Sequence, residues 1–128
     1  MTLKRSILAA TVVVIVVVVA SVTVSSRERP KRGTPEAAAE TVFHDLRWGN
    51  FNGAFSRISP GGITAETQMR ERRYHLRWWR LVDRRVQGKQ CRLEYTTVRG
   101  WLPISSPVWL TLEEQDGRWR VTTFSGAY

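Results

Sequence analysis

Few residues in this chain combine the types and spacing that chemistry requires. His44-Asp45 is the best acid/base candidate, since an imidazole beside a carboxylate can hold and pass a proton near neutral pH. In the helix that the flanking residues imply, however, Val42 and Leu46 share the apolar side. The adjacent residues 44 and 45 then point elsewhere, as a solvated pair. Cys91 is the single cysteine, so no disulfide can form within the chain, and it falls on an apolar strand face as a small core residue. Tyr95 shares that face and reads as packing. His75 lies between arginines, with no ligand set around it. There is no phosphate-binding glycine loop, no GxGxxG, no HExxH, and no CxxC or spaced His/Cys set. No catalytic residue, metal ligand or cofactor is therefore expected.

The most unusual stretch is Arg70-Glu71-Arg72-Arg73-Tyr74-His75-Leu76-Arg77-Trp78-Trp79-Arg80. Read as a helix from about 64 to 79, with Met69, Leu76 and Trp79 as its apolar marks, it places Arg70, Arg73, Arg77 and Arg80 along one face. With Tyr74 and Trp78 these form the candidate binding face. Arginine with interleaved aromatics suits a protein interface, where Trp, Tyr and Arg are enriched at energetic centres. It also suits a lipid surface, where Trp prefers the interface and Arg reaches phosphates. Nucleic acid is a third partner such a face could hold. A solvated face with Trp79 turned inward remains the plain alternative.

Charge is local. The chain of 128 residues carries a formal net charge of +9, with +5 in residues 1–33 and +4 in the remainder. Positions 70–85 alone account for +5, which leaves the rest of the domain close to neutral. Nucleic-acid binding is not the expectation from such a distribution.

Residues 7–24 form an uncharged run of eighteen that follows Lys4 and Arg5. At about 1.5 Å per helical residue it reaches roughly 27 Å, close to the thickness of a hydrocarbon core. It reads as one membrane span, marked by Ile7, Val14, Val18 and Val24. A cleaved signal peptide would share the basic start and offers Val18-Val19-Ala20, but the run exceeds a usual signal core and continues past Ala20. Charges on the two sides do not decide orientation. A short tail followed by one span and a folded domain favours an extracytoplasmic domain.

The chain thus divides into a tail (1–6), a span (7–24), a basic linker (25–34) and one domain (35–128). Thr34-Pro35-Glu36 starts a helix running from about 35 to 48, with Ala38, Val42, Leu46 and Trp48 at helical spacing. A second helix is expected at about 50–57, with Phe51, Ala54, Phe55 and Ile58 inward. After the third helix the pattern alternates. Leu81–Val86 extends, Gly88-Lys89 turns, and Cys91, Leu93, Tyr95 and Thr97 share a strand face. Gly100 to Pro107 reads as a loop, Val108, Leu110 and Leu112 as a strand, Asp116-Gly117 as a hairpin turn, and Trp119, Val121 and Thr123 as the start of the last strand.

Glu36–Phe43 followed by Trp48-Gly49-Asn50-Phe51-Asn52-Gly53-Ala54-Phe55 resembles the paired helices that open many NTF2-like (cystatin-like, cone-shaped) domains. Leu110–Val121 resembles their closing hairpin. The resemblance spans residues 35–124 and implies an α+β fold of three helices on a curved antiparallel sheet of three or four strands. The chain departs from that pattern in being short, so its sheet is expected to lack one or two of the usual strands. Membrane-anchored members with this layout serve as subunits of larger assemblies. The resulting expectation is a non-enzymatic accessory subunit docked on an integral membrane protein complex, with membrane lipid close by and oligomeric state open. A ligand-binding or enzymatic cone domain is the alternative, followed by binding of anionic lipid or nucleic acid through the Arg/Trp face.

Overall fold

The structure is a computed structural model that describes residues 29–101 and 104–126. The expected span at 7–24, with Ile7, Val14, Val18 and Val24, lies outside the described residues. Among those that are described, no helix is long and apolar enough to cross a membrane.

Three helices precede four strands: α1 (Pro35–Arg47), α2 (Phe51–Ser56), α3 (Ala65–Arg73), β1 (Leu76–Gln87), β2 (Gln90–Arg99), β3 (Ile104–Gln115) and β4 (Arg118–Gly126). Local chemistry explains the helix starts. Thr34, Asn50 and Thr64 each accept a backbone N–H through the side chain at the N-cap, from Ala37, Gly53 and Thr67. Pro35 and Glu36 add a fixed φ and a first-turn acid to α1. The first two helices fall where their spacing places them.

The strands form one antiparallel meander in the order β1-β2-β3-β4. At the β3–β4 turn, Asp116 and Gly117 both take positive φ, as a two-residue type I′ turn requires. Cys91, Leu93, Tyr95, Thr97 and Arg99 alternate inward along β2. Helix α1 lies across this inward face and buries Ala39, Val42, Phe43 and Leu46 against it. The loop expected at 100–107 is shorter, because Ser105, Ser106 and Pro107 already pair with Val98, Thr97 and Thr96.

The third helix ends at Arg73, and residues 76–87 are a strand, which corrects the helix expected over 64–79. Pairing with β2 outweighs local helical spacing here. Two irregularities explain why the stretch resembled a helix. Register shifts at Arg77 and Val82 insert an extra residue each, so the positions paired with inward residues of β2 are 76, 79, 81, 84 and 86. Intervals of three and two residues alternate, and Leu76 and Trp79 acquire the i, i+3 spacing of a helix face. A third shift, at Thr122, turns Val121 and Phe124 inward and leaves Thr123 exposed, against the expected Trp119/Val121/Thr123 face.

The loop after α2 is packed tightly on β4. Ser59 N–H donates to the Val121 carbonyl at 3.0 Å, Phe124 N–H donates to the Gly62 carbonyl at 2.8 Å, and Ile58 bridges Val121 in parallel. A Cβ on Gly62 would meet the Thr122 carbonyl oxygen at 1.8 Å. Gly62→Ala therefore forces β4 and this loop apart. Thermal or urea denaturation should show a loss of about 2 kcal/mol or more, whereas Gly61→Ser, in open space, alters folding through backbone strain alone.

Candidate functional site

The sheet has two distinct ends. At one, the β1–β2 and β3–β4 hairpin turns lie together; at the other, the start of β1, the end of β2 and the start of β3 meet, as the pairs Leu76–Arg99 and Arg99–Ile104 show. Helix α1 runs between them. Its first turn reaches the hairpin half through an ion pair of Glu36 with Arg84, and one turn on Glu40 accepts from Trp79 Nε1 at 3.2 Å, opposite Thr97. The far end of α1 and all of α3 belong to the second end.

That second end is rich in uncovered aromatic surface. Trp101 is 97% exposed, Trp48 78%, Met69 70%, Trp78 46% and Tyr74 44%. Trp48 is the C-cap of α1, one turn beyond His44, whose ring stands edge-on to Trp79 at 4.9 Å. Both Trp48 and Met69 were expected to mark buried helix faces and are instead solvent-facing. Trp101 follows Gly100, whose carbonyl accepts from Arg77 Nη1 at 3.2 Å and whose N–H donates to the His75 carbonyl at 2.9 Å. The remaining large exposed apolar side chains among the described residues, Leu81, Val82 and Val86, all lie on β1. Among the described residues this strand has no neighbour on its outer edge in the sheet.

The six residues of the expected Arg/Trp face are therefore divided between two elements. Arg70 and Arg73 are on α3, Tyr74 caps it, and Arg77, Trp78 and Arg80 are on β1. Arg70 pairs with Glu66 across one helical turn at 2.6 Å. Arg73 lies over the Tyr74 ring at 5.7 Å. Trp78 and Arg80 pair with Val98 and Thr96, outward-facing positions of β2, and so project from the face opposite α1. Arg70, Arg73, Tyr74, Arg77 and Trp78 gather at the aromatic end, and Arg80 lies further along β1. The four arginines do not form one helix face.

Beneath this end lies a polar cluster that sequence reasoning missed. Glu71 (1% exposed) forms an ion pair with Arg99 (4% exposed), and Arg99 Nε donates to Thr97 Oγ1 at 3.2 Å. Thr97 Oγ1 reaches the Ser106 carbonyl at 2.8 Å and the Ser106 hydroxyl at 3.0 Å. The cluster ties α3 to β2 and β3. Its only sequence signal was a charged residue in register with inward Cys91, Leu93, Tyr95 and Thr97.

Among the described residues the candidate His44-Asp45 pair does not form an acid–base couple. His44 is exposed, and Asp45 pairs with Arg57 Nε at 2.8 Å. Among the described residues no group of three or more His, Cys, Asp or Glu side chains could hold a metal ion. Over the inward face of the sheet, Phe43 meets Tyr95 edge-on at 4.7 Å, and the tyrosine is only 2% exposed. Its hydroxyl makes no hydrogen bond among the described residues. Burial, with Glu40 and Glu36 nearby, holds its pKa well above the usual phenol range. Burial and Glu36 likewise raise the Cys91 thiol, with Arg84 opposing.

No family model matches the sequence, and no curated protein matches it. In structure the chain is similar to an NTF2-like protein of unknown function from Cytophaga hutchinsonii, with a TM-score of 0.51 at 11% identity, covering 77% of this chain and 93% of that one. The domain has the NTF2-like α+β fold. A fold of this kind defines no activity by itself.

Two stability outcomes follow from the interior. Tyr95→Phe removes a buried hydroxyl without a partner and should be neutral or stabilising by up to about 1 kcal/mol. Because the folded pKa of Tyr95 is raised, its contribution is complete below the unfolded value of about 10 and is lost as pH rises beyond it; Tyr95→Phe should flatten that alkaline loss in denaturant titrations. Glu71→Ala removes the carboxylate that faces the buried Arg99 guanidinium and should cost about 3–5 kcal/mol, while Glu71→Met with Arg99→Leu should cost less than the single change.

Proposed function

We propose that the protein is a non-enzymatic accessory subunit of a membrane protein assembly. Residues 7–24 anchor it as a single span, on this reading with the domain on the extracytoplasmic side. The NTF2-like domain then docks through its aromatic end and the adjoining part of β1. The carrying observation is the distribution of exposed apolar side chains: Trp48, Met69, Tyr74, Trp78 and Trp101 collect at one end and Leu81, Val82 and Val86 on one edge strand. A patch of this kind, with arginines among aromatics, is the composition of an interface centre.

The direction of α1 supports a protein partner over lipid for this face. The segment before Pro35 joins the domain at the hairpin end, because Glu36 pairs with Arg84 there. Arg84 pairs with Leu93 and the aromatic end begins at the Leu76–Arg99 pair, so that end lies about 20 Å away along β2 at roughly 3.3 Å per residue. A tether of about ten residues holds the hairpin end near the headgroups and points the aromatic end toward neighbouring proteins. The bulges at Arg77 and Val82, together with Arg80, Asp83, Arg84 and Arg85, interrupt β1 as a template for an added strand. Docking therefore proceeds through side chains rather than a continuous backbone ladder. The filled space over Tyr95 gives the ligand-binding cone no comparable support.

The test is affinity purification of the tagged full-length protein from native membranes in mild detergent, with mass spectrometry of what stays bound. Integral membrane proteins should co-purify with the unaltered chain and fall at least tenfold with Trp78→Ala/Trp101→Ala. Recovery of the free monomer alone, or equal capture by the double variant, would contradict the proposal.

A further inference from the structure

The two turns at the hairpin end differ in charge. Residues 84–92, around the β1–β2 turn, carry Arg84, Arg85, Lys89 and Arg92 and no carboxylate, whereas residues 113–120, around the β3–β4 turn, carry Glu113, Glu114 and Asp116 against Arg118 and Arg120. The chain enters the domain beside the basic turn. Thr34 Oγ1 donates to the Lys31 carbonyl at 2.6 Å just before α1, and Glu36 in the first turn of α1 pairs with Arg84. Arg84 lies three residue pairs from the β1–β2 turn, about 10 Å along the strand. Arg29, Lys31 and Arg32, all exposed, therefore extend the basic surface of this hairpin.

The fold leaves much of that charge uncompensated. Arg85 and Arg92 stand directly opposite each other on paired strands, where like charges repel. Asp83 relieves Arg85 at 3.1 Å. Arg92 has no such relief, since Glu94 accepts from Trp109 Nε1 at 2.7 Å and Glu113 stands opposite Arg120. Among the described residues Arg29, Lys31, Arg32, Lys89 and Arg92 make no ion pair. Uncompensated cations gathered on one side of one end suit an extended external anion.

We infer that the β1–β2 hairpin and residues 29–32 rest on an anionic lipid surface, with Lys31, Arg32, Lys89 and Arg92 near phosphate headgroups and the acidic β3–β4 turn held away from them. This contact rests on the reading of residues 7–24 as a span, because the linker at 25–34 then keeps the basic hairpin within reach of the headgroups. A bilayer presents phosphates across a plane, so the basic side chains need only share one end of the domain and need not converge on one ligand. Each adds attraction that fades beyond a Debye length, about 8 Å at physiological ionic strength. Side chains make this contact across hydrated headgroups, so the backbone of the turn stays open to solvent.

The full-length protein is placed in nanodiscs of phosphatidylcholine, with or without phosphatidylglycerol, each containing phosphatidylcholine with a nitroxide on its headgroup. A bimane fluorophore is attached through Gln87→Cys or Gln115→Cys, exposed positions immediately before the two turns. Cys91 is only 2% exposed, and the unaltered chain reports any labelling there. Quenching is measured against nanodiscs without nitroxide. With phosphatidylglycerol, quenching at position 87 should exceed that at position 115 by about twofold or more, and about 0.5 M salt should return it to the phosphatidylcholine value. Lys89→Gln/Arg92→Gln should remove the excess at position 87. Arg118→Gln/Arg120→Gln, which takes the same charge from the acidic hairpin, should keep it. Failure of the protein to stay in either nanodisc overturns the span and this contact with it. Retention with equal quenching at the two positions, with no dependence on phosphatidylglycerol, or with equal effects of the two double variants overturns the lipid contact alone.

Discussion

Phe43 is the contact on which the arrangement of the domain depends. Its ring stacks on Trp79 at 5.4 Å and 21°, meets Tyr95 edge-on at 4.7 Å, and approaches Phe124 at 6.2 Å. One helical side chain thereby touches β1, β2 and β4. Aromatic pairs of this geometry contribute beyond simple burial, and losing such a ring leaves a cavity that the surrounding strands cannot close. Glu36 with Arg84 and Glu40 with Trp79 then set the direction of α1 across the sheet. The direction matters as much as the packing, because it separates the end where the chain joins the domain from the end that carries exposed aromatics.

That polarity gives the two arginine-rich regions different settings. At the aromatic end, arginines lie among Tyr74, Trp78 and Trp101, and the Glu71–Arg99 pair fixes α3 beneath them. A buried ion pair adds little net stability against an apolar equivalent, yet it is costly to break, so it holds α3 in one place. At the hairpin end, Arg57, Arg118 and Arg120 are among the residues lining an open groove between α1, α2 and the β3–β4 hairpin.

Much of this was legible in the sequence where a local rule sufficed. Thr34-Pro35-Glu36 gave the start of α1, the alternation of Cys91, Leu93, Tyr95 and Thr97 gave the inward face of β2, and Asp116-Gly117 gave the last turn. The failures have one physical origin, since each depends on a partner distant in the chain. The bulges at Arg77 and Val82 exist because β1 must follow β2, and they imitate helical spacing in a strand. The bulge at Thr122 moves Thr123 outward in the same way. Trp48 and Met69 satisfied helical spacing but face solvent, because no other element covers them among the described residues. Glu71 finds Arg99 across 28 residues, and the groove is assembled from α1, α2 and β4. No window of sequence contains either.

The central claim is that the domain engages its partner through the aromatic end and not through the hairpin end. Hydrogen–deuterium exchange of the full-length protein, compared between its native membrane assembly and the isolated detergent-solubilised form, tests this most directly. Protection on assembly concentrated in residues 73–82 and 99–101, with the turns at 88–89 and 116–117 unchanged, is the predicted result. Protection confined to the hairpin turns, or no difference between the two states, would contradict it.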